Sequence, residues 1–107
     1  YSYFQAGKQP GLFAISMQTA PEDTNKAIAS TLNLLQQVHT QGVTPAEVET
    51  AKRAIASGYT VSLADPDSLT AAILMNEVYG LSPEEIRNFP GKIQAVTLEQ
   101  VNKGAKE

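Results

Sequence analysis

Residues 42–53 constrain this chain more than any other stretch, because one helix has to end there and another has to begin almost at once. Gly42 can take the left-handed conformation that closes a helix, and Thr44 and Glu47 have the spacing of a capping box, with Pro45 preset for the first helical position. The run predicts a tight helix-turn-helix joint. Its chemistry is that of chain geometry and not of catalysis.

The flanking sequence has the same character. Residues 1–5 and 12–19 are rich in aromatic and apolar side chains, and residues 6–11 between them are turn-forming, which predicts a β-hairpin. Alternation in the second strand puts Phe13, Ile15 and Met17 on one face, the face expected to be buried. Only helical patterns follow. Pro21, with Glu22 and Asp23 in a first turn and Ile28, Leu32, Leu35 and Val38 on one stripe, predicts an amphipathic helix closed by Gly42. The next helix carries Val48, Ala51 and Ile55, and its last turns are weakened by Gly58, Thr60 and Val61. A third fits 66–79, stopping at Gly80. Ser82 with Glu85, and Thr97 with Gln100, have the spacing of two further capping boxes, and Pro90 is expected to kink or split the helix between them. The fold class read from this order is α+β, an N-terminal hairpin followed by about five helices.

A chain of 107 residues is read as a single domain over 1–107, with room for one modest core. It is 42% hydrophobic and 18% charged, the composition of a folding chain. The net charge of −3 comes with no basic cluster, so no nucleic-acid partner is expected. No apolar run approaches the ~18 residues that span a bilayer, and no membrane insertion is expected. The absence of cysteine leaves the compartment open.

Few groups can do chemistry. A zinc site takes three or four ligands from Cys, His, Asp and Glu, and the chain has one His and no Cys. His39 falls in the last turn before Gly42, where a cation near a helix C-terminus is favourable. The pairs Glu22/Asp23 and Glu84/Glu85 fall in first helical turns and complement the helix dipole. A serine nucleophile has only His39 as a base, and no G-x-S-x-G surrounds any serine. Residues 7–11 lack the P-loop spacing and read as a turn. Lys52 and Arg53 read as a solvated helix face with Glu49 as their partner.

The order of these motifs nevertheless resembles a known family. A long helix, then G-V-T-x-x-E-[LV]-x-x-A-K from Gly42, then capped helices ending in A-V-T-x-E-x-V from Ala95, is similar to the C-terminal part of the pitrilysin/insulinase-type zinc peptidases, which include the mitochondrial processing peptidases. The likeness runs from Gly11 to Val101 and rests on caps and core positions. It implies two similar α+β halves enclosing a peptide chamber, with zinc held by an H-x-x-E-H motif in the N-terminal half. That motif is not in this sequence, so the resemblance is to the half that closes the chamber and holds substrate. Active members also supply an Arg and a Tyr from an L-R-x-x-x-G-L-x-Y segment just before the hairpin. Counting back from Gly11 places that tyrosine a few residues before Tyr1, and Tyr1 and Tyr3 read as ordinary strand aromatics.

The resemblance therefore implies a non-catalytic C-terminal segment of a zinc-dependent peptidase. No catalytic, cofactor-binding or metal-binding residue is expected in this chain, and substrate-binding residues stay unassigned. Zinc belongs to the N-terminal half of the parent, and the expected partners are that half or a partner subunit, together with a peptide substrate. Two other readings stand beside it: a chamber-forming homologue acting as a structural or regulatory subunit, and a free-standing helical interaction domain. The chain opens without Met in a strand and closes in a helix, so it is expected to be a piece of a longer protein. Because two strands are a marginal sheet, the remaining strands are expected to precede Tyr1, and the chain alone is expected to self-associate.

Overall fold

The computed structural model describes residues 1–107 except Ala6 and Lys8. The elements are β1 (Ser2–Phe4), β2 (Phe13–Ile15), a 3-10 turn at Pro21–Asp23, and the helices α1 (Thr24–Gln41), α2 (Pro45–Ser62), α3 (Pro66–Tyr79), α4 (Glu84–Gln94) and α5 (Leu98–Lys106). This is the α+β arrangement expected, a hairpin followed by five helices. The described chain divides into two compact units, Tyr1–Gln36 and Gln37–Glu107.

In the first unit β1 and β2 pair antiparallel, with Ser2 opposite Ile15, Tyr3 opposite Ala14 and Phe4 opposite Phe13. The turn expected over 6–11 includes Ala6 and Lys8, which lie outside the described residues. The expected burial of Phe13, Ile15 and Met17 is corrected by the structure: Phe13 is 52% and Met17 40% exposed, and Ile15 is half-buried. A two-stranded ribbon has no second layer of its own, and Ile15 and Met17 share an open hollow with Thr24 and Ile28 of α1 without being buried by them. Phe4 and Phe13 instead lie against each other, ring centroids 6.0 Å apart.

The second unit is helical. Gly42 adopts φ 76°, and its N–H donates to the Val38 carbonyl at 2.9 Å, ending α1 where expected. At the start of α2 the Glu47 N–H donates to Thr44 Oγ1 at 3.3 Å, while the Thr44 N–H donates to Glu47 Oε2 at 2.7 Å. The capping box is therefore complete. α2 then runs through Gly58, Thr60 and Val61 to Ser62. Packing offsets their weak propensity, the Tyr59 ring lying 4.3 Å from that of Phe89 on α4. α3 is capped by Asp65, which accepts from the Ser68 N–H at 2.9 Å, and it closes at Gly80 with φ 67°.

One expectation fails at α4, and of the kink or split expected at Pro90 the split does not occur. Ser82 and Glu85 form no capping box: Pro83 is already helical at φ −57°, ψ −23°, and no side chain caps the helix. The Glu85 N–H bonds the Ser82 carbonyl at 3.0 Å, and the Glu85 carboxylate pairs with Lys92. With the Glu85 N–H taken by the Ser82 carbonyl and its carboxylate turned to Lys92, neither of the two reciprocal bonds of a box is made. Nor does Pro90 split the segment, since α4 continues through it to Gln94. Ile86, Phe89, Pro90 and Ile93 are all half-buried at helical spacing, so packing of this stripe outweighs the backbone bond that proline cannot make. At α5 the box forms as expected, with Gln100 N–H to Thr97 Oγ1 at 3.2 Å and Thr97 N–H to Gln100 Oε1 at 2.9 Å.

Thr44→Ala leaves a helix-start donor without its partner and is expected to cost about 1 kcal/mol. Glu47→Ala, which keeps the N-cap oxygen, is expected to cost less. Urea unfolding of both variants checks the order. The two capping carboxylates also give stability a pH dependence. Donation from the Thr44 backbone N–H, and then from its hydroxyl, holds Glu47 below its ordinary 4.5. The Ser68 hydroxyl, and then its backbone N–H, hold Asp65 below its ordinary 3.8. Both groups bind protons more weakly when folded, so their contribution is complete above those ordinary values. It is lost as pH falls through the lower folded ones, and urea midpoints measured from neutral pH down to the acid range should fall there.

Candidate functional site

The α1–α2 joint is held from across the second unit. Asn102, halfway along α5, accepts from the Val43 N–H at 2.8 Å and donates through Nδ2 to the Val43 carbonyl at 3.4 Å. His39, one turn before the joint, has Nδ1 3.1 Å from the Ala105 carbonyl, one turn beyond Asn102. α5 is thus bonded to both sides of Gly42. A Cβ on Gly42 would lie 2.5 Å from Asn102 Oδ1. The glycine is needed for its positive φ and for this approach alike.

Beside the joint, α2, α4 and α5 surround an open groove of about 460 Å³. Its floor is Val48, 6% exposed and the only buried apolar side chain among the described residues. Ala51 and Ile55 continue the α2 side, and Ile93, Val96 and Val101 form the opposite wall. Glu47 and Lys52 also line it, but both are engaged elsewhere, Glu47 in its cap and Lys52 with Glu49 at 2.9 Å. The groove therefore offers apolar contact and no free charge. It can hold aliphatic or aromatic groups, and it contains no nucleophile or acid/base pair.

The residues singled out in the sequence are not brought together. His39 serves α5. Glu22 and Asp23 fall in the 3-10 turn and not in the first turn of α1 as expected, with Asp23 pairing with Lys26 of α1 at 3.7 Å, while Glu84 pairs with Arg87 within α4 at 3.8 Å. Lys52 has the Glu49 carboxylate, as expected, while Arg53 Nε bonds the Glu49 carbonyl at 3.4 Å. Tyr1 and Tyr3 stack with centroids 5.9 Å apart and are both exposed, as strand aromatics. Among the described residues no group of three or more His, Cys, Asp or Glu is placed to hold a metal ion. No described helix is long and apolar enough to cross a membrane. Asn102 was not singled out. The available signal was an amide lying in line with Leu98, Val101 and Ala105 on an otherwise apolar helical stripe, where a polar group needs a partner.

Fold and site together define an α+β segment whose described side chains are organised for packing and capping. Residues 1–55, comprising the hairpin, α1, the joint and the first part of α2, match the family model described as the Peptidase M16 inactive domain. The chain belongs to that family, the pitrilysin/insulinase type that the helical joint resembled. No curated protein compared with the chain matches it.

Gly42→Ala should destabilise the second unit by at least about 1–2 kcal/mol, the cost of a left-handed L-residue, with the contact to Asn102 added. Asn102→Ala in the same background should recover only the contact part. Thermal unfolding of the two single variants and the double variant separates the contributions.

Proposed function

We propose that this chain acts as the non-catalytic C-terminal segment of a zinc-dependent metallopeptidase, associating with the zinc-binding N-terminal half or a partner subunit and helping to close the chamber that holds the peptide. The observation that carries the reading is the match of residues 1–55 to the family's inactive domain. Zinc bound in the other half would supply an activated water for peptide-bond hydrolysis, with a glutamate there as general base. The residues described here do not make a ligand set for that metal, so no chemical step is assigned to this chain. Its contribution is surface: the hairpin with exposed Phe4 and Phe13, and the apolar groove beside Val48.

Metal analysis of the purified chain should find no stoichiometric zinc, and a fluorogenic peptide should not be hydrolysed. Mixing with a zinc-bearing N-terminal half from the same source should give a complex that hydrolyses the peptide. A complex that assembles without activity would assign the chain to a structural subunit. One tightly bound zinc per chain, or no complex at all, would overturn the proposal.

A further inference from the structure

The hairpin has an edge built for another strand. The Gln5 N–H bonds the Leu12 carbonyl at 2.9 Å, and Tyr1 and Ser16 exchange bonds of 2.8 Å. With Tyr3 opposite Ala14, the even-numbered residues of β2 turn their backbone groups toward β1, and Phe13 and Ile15 turn theirs away. The sheet contains only these two strands among the described residues, so nothing there receives those outward groups. Where it displaces water from such an alternating row of donors and acceptors, an extended chain is the element that can satisfy it throughout. Residues 12–19 contain no charge and no proline, the two devices that ordinarily keep an edge from pairing with its own copies. A second copy therefore meets no like charge.

We propose that the outer edge of β2 pairs with β2 of a second copy, antiparallel about a two-fold axis at Ala14, making a four-stranded sheet in the order β1, β2, β2, β1. The register follows from the pleat. With Ala14 on the axis, Phe13 faces Ile15 of the second copy in a bonded pair, and the reverse, which sets an aromatic against a β-branched side chain. Ala14 faces Ala14 in the non-bonded pair, where strands approach most closely, at about 4.5 Å between Cα atoms, and a small side chain fits. Four strands also pass the limit below which a hairpin is marginal.

The test uses the whole 107-residue chain. Sedimentation should give twice the mass of one chain, with dissociation on dilution. Since the chain has no cysteine, Ala14→Cys introduces a single thiol, and mild oxidation should cross-link it to a dimer because Cβ atoms of a non-bonded pair lie about 4.5–5.5 Å apart. Gln18→Cys, remote from the axis, should cross-link far more slowly. Ile15→Pro removes an outward N–H without touching the bonds to β1, and Ile15→Lys keeps every backbone group while placing like charges near the axis. Both should return the mass to that of one chain. A chain that is monomeric at all concentrations, its edge reserved for a strand of another polypeptide, would overturn the proposal. So would a dimer indifferent to both Ile15 variants, or equal cross-linking from positions 14 and 18.

Discussion

The contact between Asn102 and the backbone of Val43 is what the helical unit depends on. A helix as short as α5 is marginal on its own, and its apolar stripe could slide along α2 at little cost. The amide removes that freedom, because its oxygen and nitrogen meet the N–H and carbonyl of a single residue. Gly42 makes the approach possible by having no side chain to obstruct it. His39 then fixes the far end of α5 by its contact with the Ala105 carbonyl. One left-handed residue thus ends α1, starts α2 and receives α5.

What could be read in the sequence was what is decided locally. Thr44 with Glu47 and Thr97 with Gln100 act across three residues, and Gly42 and Gly80 terminate helices through their own φ angles, so neighbouring residues contained the whole answer. Where tertiary packing decides, local reasoning reached less far. Pro90 belongs to a half-buried stripe, and α4 continues through it unsplit. Ser82 and Glu85 have the right spacing, but the Glu85 carboxylate is drawn to Lys92 two turns on. The clamp on Val43 spans 59 positions, and no window of sequence contains both ends. The face bearing Phe13, Ile15 and Met17 was recognised by its alternation, while its covering is not a property of these strands.

The groove shows the same division. Its walls follow from the helical periodicity of α2 and α4, but the space left between them beside Val48 depends on how the helices pack. Both charged residues at its margin are already used, Glu47 by Thr44 and Lys52 by Glu49, so its chemistry is settled by bonds made elsewhere. A surface of this kind contributes shape and dehydration.

The chain's two methionines fall one in each compact unit, Met17 at 40% and Met75 at 47% exposure. A thioether open to solvent is oxidised to a polar sulfoxide, and a covered one is spared. The protein therefore carries two chemical reporters, one beside the hairpin and one on α3, whose oxidation rates register separately whether each surface has been shielded.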